Sequence, residues 1–505
     1  MKLLKKSFAL LLALLLVLAL GTTAFAGEES SNTYSITINS ATGKYTAYQI
    51  FAGDLSVKDN TKTLSNVTWG SGVEEFAYND KTVAADIAAS LENADAAAAD
   101  AFAAEAAKHV TGTGTSATAS SGTATISGLQ AGYYVVINSE VGTQGSYSKY
   151  MVQVVGDVTV DSKSDVPSFE KKVKDTNDST GATSGWQDSA DYDIGDAVPF
   201  KLTGTVASNY ADYKTYYFAF HDKEEAGLTF NKDSVKVYID GNVISSGYTV
   251  VTENLGDDCT FHVVFSDLKE TVATAGSKIT VEYTSTLNNN AVLGSTGNVN
   301  EAKLQFSNNP NSDQGGESGP TGETPWDNVI VFTYKVVVNK YANSVAEANK
   351  LNGAEFTLYK KIKNADETTT KKEIEKITGT NSSVFTFKGL DDGEYILSET
   401  KTPAGYNTIK DITFTVTADH KITWGSEDRT ALLTSLSGTV ASGEVTFTGN
   451  TTDGSLSTNV INKSGSTLPS TGGMGTTLFY VLGGLLVVGA GVVLITKKRM
   501  STTED

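Results

Sequence analysis

The sequence predicts an all-β protein built from several β-sandwich domains in tandem, with one helical insertion in the first domain. Thr, Val, Tyr and Ser, which favour strands, dominate most of the chain. Short stretches of alternating apolar and polar residues recur between turn residues. The 505 residues are too many for one hydrophobic core, and this length predicts about three domains.

The charge balance argues against one class of partners. Lys and Arg number 39 against 58 Asp and Glu, which gives a formal net charge of −19. Such a surface repels phosphate backbones, so we expect no nucleic-acid binding.

The pattern of residues 1–26 predicts a secretory signal peptide. Lysines precede a leucine-rich apolar run that ends in Ala24-Phe25-Ala26, a small-x-small cleavage pattern. The mature protein should therefore lie outside the cytoplasm. Its lone cysteine, Cys259, cannot form an intramolecular disulfide, so its stability must have another source.

Three strand-rich blocks follow. The first, 27–165, contains an alanine-rich stretch from Thr82 to Val110 that should be helical by propensity. The second, 166–330, ends in a segment rich in Gly, Ser, Asn and Pro. The third covers 331–465, and residues 466–505 form a C-terminal signal. We expect a β-sandwich in each block.

The first and third blocks contain two pairs of similar segments. Residues 34–42, YSITINSAT, resemble residues 334–342, YKVVVNKYA. Residues 128–136, GLQAGYYVV, resemble residues 389–397, GLDDGEYIL. These blocks therefore look like two copies of one domain type.

Strand alternation in the third block predicts that three polar side chains point into its core. By strand alternation, Lys340 shares a face with Tyr334, Val336 and Val338, and Glu399 and Asn462 also end apolar faces. Burial lowers the pKa of a lysine and raises that of a carboxyl group. We interpret the set as self-reacting: the neutral amine attacks the asparagine carbonyl, the acid shuttles protons, and ammonia leaves.

The C-terminal end has three parts in order. A sorting-type motif comes first, then an uncharged apolar segment from Leu478 to Thr496, long enough to span a bilayer, then Lys497, Lys498 and Arg499. The motif consists of Leu468, Pro469, Ser470, Thr471 and Gly472. It is similar to the LPxTG signal of sortase transpeptidases. This resemblance implies cleavage between Thr471 and Gly472, with the threonine carbonyl held as a thioester.

The segments YKVVVNK, SETKTPAGY and VIN resemble the Cna-B domains, Ig-like β-sandwiches, of sortase-assembled Gram-positive pilins. The resemblance implies an isopeptide bond between Lys340 and Asn462, with Glu399 as the autocatalytic acid. The chain would then be a backbone pilin, the major subunit of a surface pilus (fimbrium) fixed to the cell wall.

The middle block offers a similar set and resembles the Cna-A-like domain of these pilins. Its predicted members are Lys171, Asp222 as the assisting acid, and Asn308, all on inward strand faces. Three nearby residues could substitute for the lysine or the asparagine, namely Lys172, Asn300 and Asn309.

The first block departs from the pattern. Alignment of the similar segments places Ser40 at the position of Lys340 and Asn138 at the position of Glu399. The nucleophile and the proton shuttle are both missing, so we predict no isopeptide bond there by this motif. This block should be the most labile of the three.

Polymerisation needs an amine from another subunit. VTVDSKSDVP resembles the pilin motif and aligns Lys163 with the acceptor lysine, although Asp161 and Ser162 replace the usual Tyr-Pro. The implied partners are a class C-type pilin sortase, a housekeeping sortase, identical subunits, accessory pilins and peptidoglycan, with a host surface ligand as a further candidate.

A second hypothesis is a singly wall-anchored or pilus-tip adhesin that binds host matrix or glycan, which needs no acceptor lysine. A secreted enzyme ranks lower, because no catalytic triad or carboxylate cleft stands out. We predict no cofactor and no metal site. The four histidines, at 109, 221, 262 and 420, are scattered, and a surface position is predicted for His221.

Overall fold

A computed structural model describes residues 33–39, 43–58, 61–92, 94–141, 143–162, 165–312, 314, 316–465 and 474–500. The signal peptide, Ser40, Lys163 and the motif at 468–472 lie outside these residues. Within them strands predominate, so the predicted all-β class of tandem sandwiches is confirmed.

The first block contains two sheets and two helices. Its elements are β1 (Tyr34–Asn39), β2 (Lys44–Lys58), β3 (Thr61–Trp69), α1 (Ala84–Ser90), α2 (Ala96–Ala106), β4 (Thr115–Thr118), β5 (Thr123–Leu129), β6 (Gly132–Glu140), β7 (Lys149–Val154) and β8 (Val158–Asp161). One sheet has the order β5-β1-β8, and the other β3-β2-β6-β7 with β4 beside β2.

Strand β6 is buried on both faces. Tyr133 and Val135 join the core under the helices, whereas Tyr134 and Val136 join the core against β1. The helices therefore form a third layer on one sheet.

The alanine-rich stretch forms two helices rather than one. Asp95 begins α2, where its side chain accepts a hydrogen bond from the Ala98 backbone N–H at 2.8 Å. An aspartate in this position favours a new helix start over continuation of α1.

The middle block is a two-sheet sandwich. Its strands are β9 (Ser168–Asn177), β10 (Ala182–Gln187), β11 (Ser189–Asp191), β12 (Ala197–Thr205), β13 (Phe218–Glu224), β14 (Leu228–Ile239), β15 (Asn242–Ile244), β16 (Thr249–Val251), β17 (Phe261–Phe265), β18 (Lys278–Leu287), β19 (Asn298–Ser307), β20 (Thr321–Glu323) and β21 (Asp327–Phe332). The sheets run β10-β9-β12-β18-β14-β15 and β11-β21-β19-β13-β17-β16, with β20 beside β19. Aromatic and branched side chains from both sheets fill the space between them.

The third block is a second two-sheet sandwich. Its strands are β22 (Tyr334–Ala342), β23 (Glu355–Lys363), β24 (Thr369–Thr378), β25 (Val384–Leu390), β26 (Gly393–Lys401), β27 (Ile412–His420), β28 (Leu433–Ser442), β29 (Phe447–Asn450) and β30 (Ser455–Asn462). The sheets run β25-β22-β30-β29 and β24-β23-β26-β27-β28. The predicted domain boundaries stay predictions; β21 crosses the one between 330 and 331.

The sequence similarity between the first and third blocks is matched by the same strand pairing in both. In both, the opening strand pairs antiparallel with the strand that ends in Gly-Leu, with Tyr34 opposite Leu129 and Tyr334 opposite Leu390. In both, the opening strand also pairs parallel with the last strand, β1 with β8 and β22 with β30.

Past the sandwiches lies α3 (Met474–Met500). Residues Leu478–Met500 are long and apolar enough to cross a membrane, with a mean hydropathy of 2.6 in the most apolar window and no burial in the protein. The predicted span, 478–496, lies inside this helix.

Candidate functional site

The third block brings Lys340, Glu399 and Asn462 together in its core. Lys340 ends the apolar face of β22, and Asn462 ends the parallel strand β30, two residues beyond Val460, the register partner of Lys340. Glu399 approaches from β26 in the facing sheet. The Lys340 and Glu399 side chains are both fully buried.

The contacts in this cluster leave three reactive atoms unsatisfied. Lys340 Nζ lies 3.1 Å from Glu399 Oε1, yet neither atom has a hydrogen bond of good geometry. Asn462 Nδ2 donates to Glu399 Oε2 at 2.9 Å and to the Asn407 carbonyl at 2.7 Å, which leaves Asn462 Oδ1 without a partner. The amide nitrogen is therefore held while its carbonyl stays open to attack.

The electrostatics favour a neutral amine. Burial lowers the pKa of Lys340, and the nearby Glu399 carboxyl opposes that shift. The Phe356 ring, whose centroid is 5.3 Å from Nζ, provides an apolar wall. Burial keeps water out of the cluster. Water would otherwise stabilise the ammonium form of the lysine.

The middle block has a corresponding cluster around Lys171 on β9. Lys171 Nζ donates to Asp222 Oδ2 at 2.5 Å and to Tyr283 Oη at 2.9 Å. Tyr283 donates its own proton to Asp222 Oδ2 at 2.7 Å, and Asn300 Nδ2 donates to Tyr283 Oη at 2.9 Å. Tyr283 thus joins the lysine, the acid and the asparagine.

A second acid completes the middle cluster. Glu224 lies two residues beyond Asp222 on β13, and its Oε1 accepts from Asn300 Nδ2 at 3.4 Å and from the Ser285 hydroxyl. Asn300 Oδ1 and Asp222 Oδ1 are buried without partners. As in the third block, the amide nitrogen of the asparagine is held and its carbonyl is not.

Burial also sets the protonation states here. Burial lowers the pKa of Lys171, with Asp222 opposing, and raises the pKa of Asp222, with Lys171 opposing. Burial and the neighbouring Asp222 raise the pKa of Glu224 to about 8. The desolvation of both groups therefore shifts the pair toward the neutral amine and the carboxylic acid.

The predicted partner Asn308 lies away from this cluster. Ala302 pairs with Asp222, so Asn300 is two residues from this point along β19, whereas Asn308 is six residues away in the other direction. At about 3.3 Å per residue, Asn308 is roughly 20 Å along the strand. The Asn308 backbone carbonyl accepts a hydrogen bond from the Tyr147 backbone N–H of the first block at 2.7 Å, and the Asn308 side-chain Oδ1 is buried without a partner. The asparagine beside Lys171 is Asn300, one of the three possible substitutes.

Lys172 and Asn309 also point away from the cluster. Lys172 lies on the opposite face of β9 and contacts Asp188 at 2.6 Å and Glu170 at 3.4 Å. Asn309 is in a turn, where its side chain accepts from the Asn311 N–H at 2.9 Å. Lys171 and Asp222, in contrast, are placed as strand alternation predicts.

The first block lacks a comparable cluster among its described residues. Asn138, at the position of Glu399, is buried and donates to the Ser146 carbonyl at 3.3 Å. No lysine is buried in the described part of this block. Ser40 is outside the described residues, so the absence of an isopeptide bond there stays a prediction.

Sequence reasoning missed Tyr283 and Glu224. Tyr283 follows Ile279 and Val281 on the inward face of β18, so alternation alone places its hydroxyl in the core. A buried tyrosine hydroxyl needs a partner, and this was the available signal. The surface position predicted for His221 is wrong, since its residue exposure is 6%.

A buried lysine joins the second and third blocks. Lys360 Nζ, on β23, contacts Asp193 at 2.8 Å, Asp178 at 3.4 Å and Asp391 at hydrogen-bonding distance. Asp178 and Asp193 belong to the middle block and Asp391 to the third. The lysine is fully buried, and several carboxyl groups compensate its charge. Together they form an ion cluster between the two domains.

His420 lies in a second junction cluster. Its Nε2 is 3.5 Å from Asp175 Oδ2 and 3.9 Å from Asp191 Oδ1, and its Nδ1 is 2.7 Å from Ser189 Oγ. Although burial lowers the pKa of His420, the two carboxylates raise it to about 10. Burial raises the pKa of Asp191, and its hydrogen bond with His420 opposes that shift.

We expect the junction to weaken at high pH. The charged groups that face His420 are Asp175, Asp191 and Asp392. Its folded pKa is above the ordinary 6.5, so its contribution is complete below pH 6.5 and is lost as pH rises through about 10. Urea unfolding at pH 6 and pH 10 should show a loss of a few kcal/mol. His420→Gln should reduce this difference, and His109→Gln should not; equal pH dependence in both would contradict the assignment.

The chain matches three family models. A prealbumin-like fold domain (SpaA) matches residues 335–429, and the Cna-B-like domain of Gram-positive pilin backbone subunit 2 matches residues 194–310. The LPXTG cell wall anchor motif matches residues 461–501. The model that matches the middle block is Cna-B-like, whereas the sequence motifs predict a Cna-A-like domain there.

Similar proteins agree in fold. The trypsin-resistant surface T6 protein of Streptococcus pyogenes serotype M6 is 27% identical over 394 residues, covering 67% of this chain and 70% of that protein. The structure of the T6 backbone pilin covers 87% of this chain and all of its own, with a TM-score of 0.54 at 20% identity. The major pilin SpaD of Corynebacterium diphtheriae covers 88% of this chain and all of its own, with a TM-score of 0.53 at 19% identity.

The fold and the anchor define a structural surface protein of the Gram-positive cell wall. Pilin domains occupy both described sandwiches that contain buried lysines. The chain is a Gram-positive backbone pilin, a major pilus subunit with an LPXTG cell wall anchor.

Proposed function

We propose that the pilus is a covalent polymer whose subunits are each welded internally by two isopeptide bonds, Lys171–Asn300 and Lys340–Asn462. The observation that supports this is the pair of buried clusters, each with a lysine amine, a carboxyl group and an asparagine whose Oδ1 has no partner. As static hydrogen-bonded sets these clusters would be costly, because the reactive atoms stay unsatisfied.

The bond-forming step balances without a cofactor. The neutral lysine Nζ attacks the asparagine Cγ, the bond from Cγ to Nδ2 breaks, and the amine proton passes through the carboxyl group to the leaving nitrogen. One amide and one ammonia replace one amine and one primary amide. Packing holds the groups in contact and so replaces a bimolecular encounter. Since each chain reacts once, this chemistry is not enzymatic turnover.

Tyr283 should speed the reaction in the middle domain. Its hydroxyl touches Lys171, Asp222 and Asn300, so it can relay a proton among them. In Tyr283→Phe we expect the middle bond to form more slowly, on the order of 10-fold or more. Intact mass followed over time after synthesis measures the rate. Tyr238→Phe is the control, since its hydroxyl contacts only the carboxylate of Glu282 in the described protein, at 3.4 Å; equal rates in both variants would remove Tyr283 from the mechanism.

Subunits join between Thr471 and Lys163 in this proposal. The Lys163 amine of one subunit attacks the thioester that a pilin sortase forms at Thr471 of another, which makes an amide and frees the sortase thiol. Both residues lie outside the described structure. Lys163 falls between β8 and β9, where the first block ends and the second begins. This head-to-tail contact uses two different surfaces, so the assembly is an open fibre.

Immunoblots of the cell wall test this step. Wild type should give a ladder of high-molecular-weight species, and Lys163→Arg should give the monomer alone. Lys232→Arg, at an exposed lysine of the middle domain, should keep the ladder. A ladder that survives Lys163→Arg rejects this acceptor. A wild-type monomer alone would favour a singly anchored adhesin. The housekeeping sortase, peptidoglycan and accessory pilins are then the expected partners at the fibre base and along it.

A further inference from the structure

The sequence alone predicts no metal site, but we propose that the middle domain binds one zinc ion on its outer face, through His221, Asp257, Cys259 and His262. His221 on β13 and His262 on β17 are paired across the two strands, and their ring centroids are 3.8 Å apart. Both residues are nearly buried, with exposures of 6% and 7%. The strand register thus brings together two residues that are far apart in sequence.

The loop before β17 supplies the other two candidate ligands. Asp257 Oδ2 is 2.9 Å from His221 Nδ1, and Asp257 Oδ1 is 3.1 Å from His262 Nε2. One potential ligand atom from each of the four residues lies within 4.8 Å of the other three. Ligands at 2.0–2.3 Å around a tetrahedral zinc are roughly 3.3–3.8 Å apart. Closing the site therefore needs shifts of about 1 Å in an exposed loop.

Hydrogen-bond accounting at His221 points to a cation. Gln305 Nε2 donates to Thr321 Oγ1 at 3.2 Å, which turns Gln305 Oε1 toward His221 Nε2, 3.1 Å away. The second ring nitrogen, Nδ1, faces the Asp257 carboxylate. A neutral imidazole has one N–H and cannot donate to both acceptors, so the ring needs a second cation beside it, which is either a second proton or a metal ion. A metal ion between Nδ1 and the carboxylate satisfies both nitrogens, with Gln305 fixing the tautomer as outer partners of zinc-bound histidines do.

The ligand chemistry selects zinc. Two imidazoles, one thiolate and one carboxylate are the N, S and O ligands of tetrahedral zinc sites, whereas calcium and magnesium prefer oxygen alone. Binding would release the Cys259 thiol proton. The site shares strand β13 with the isopeptide cluster, because His221 faces outward and its neighbour Asp222 faces the core. Zinc would therefore fix the loop before β17 to the strand that carries the middle-domain acid.

Metal content and spectroscopy of the full mature chain, stripped with a chelator, test the proposal. After equilibration with zinc and desalting, we expect one zinc per chain by elemental analysis. Zinc at about 100 times its dissociation constant should raise the unfolding midpoint by roughly 5–10 °C. With cobalt(II) as the probe, a thiolate-to-metal charge-transfer band should appear in wild type and be lost in Cys259→Ser.

Two matched variants make the test specific. Asp257→Asn should weaken zinc binding by at least about 10-fold, whereas Asp258→Asn, which removes the same charge from the next exposed residue, should bind as wild type does. Gln305→Leu should weaken binding by about 10-fold through the tautomer of His221. No retained zinc in wild type, or equal zinc content in the double variant His221→Ala/His262→Ala, overturns the proposal. Circular dichroism and unchanged isopeptide mass confirm that each variant is folded.

Discussion

In Glu399→Gln, Lys340 and Asn462 should remain unjoined, and the mature chain should be heavier than wild type by one ammonia, after correction for the substitution. Glu399 lies 3.1 Å from the attacking amine and accepts from the asparagine nitrogen at 2.9 Å, so it is placed to carry a proton between them. A glutamine keeps the shape of the side chain and loses the acid.

The same variant should lose much of the stability of the third domain. A crosslink that spans about 120 residues, from Lys340 to Asn462, restricts the unfolded chain by about 5 kcal/mol in the chain-entropy account of disulfides. For a domain of this size, that corresponds to a fall of roughly 15 °C in the unfolding midpoint. Calorimetry of the full chain, which separates the transitions of the domains, measures it.

Glu394→Gln is the matched control. Glu394 lies on the same strand, but its side chain is exposed and pairs with Lys361 at 2.7 Å. This variant should keep the wild-type crosslink and midpoint. Complete crosslinking in Glu399→Gln would show that Glu399 is not the acid.

Asn300→Ala should abolish the middle-domain bond. Its side-chain nitrogen lies 2.9 Å from Tyr283 Oη, which in turn is 2.9 Å from Lys171 Nζ, so Asn300 belongs to the hydrogen-bonded cluster around the amine. We expect the mass defect of one ammonia to disappear, peptide mapping to recover free Lys171, and the midpoint of the middle domain to fall by an amount similar to that in the third.

Asn308→Ala distinguishes the two asparagines. It removes a similarly buried amide from the far end of the same strand region, so it should lower stability somewhat and keep the Lys171 crosslink. A crosslink that persists in Asn300→Ala and vanishes in Asn308→Ala would restore the partner expected from the sequence. Loss in both would mean that the strand itself had shifted.

Alternation is enough to find the lysines and acids but not every asparagine. Lys340, Glu399 and Lys171 each end or interrupt an apolar face, which is a local property of one strand. Asn300 and Asn308 have the same parity on or next to β19, so both satisfy that local rule. The choice between them depends on which end of β19 crosses Lys171 in the facing sheet, and that is set by tertiary packing.

The histidines show the same limit of sequence reasoning. His221 and His262 are scattered along the chain, and the antiparallel register of β13 and β17 makes them neighbours. Propensity likewise predicts the alanine-rich helix, although the cap at Asp95 divides it in two. Local signals thus predict element types, while pairing between distant strands decides which side chains meet.

The parallel pairing of β22 with β30 determines how the third domain would carry a mechanical load. Tension along a fibre enters the third domain at Tyr334. Once Lys340 is bonded to Asn462, the force crosses that amide and leaves the domain at Lys463. The strands between β22 and β30 then carry no load. In the middle domain, Asn300 lies near the start of β19, and the chain from there through β21 stays in the force path. This tail of the middle domain is held by hydrogen bonds and core packing without a covalent crosslink, so it should unfold first under load and extend reversibly, while the crosslinked third domain hardly extends.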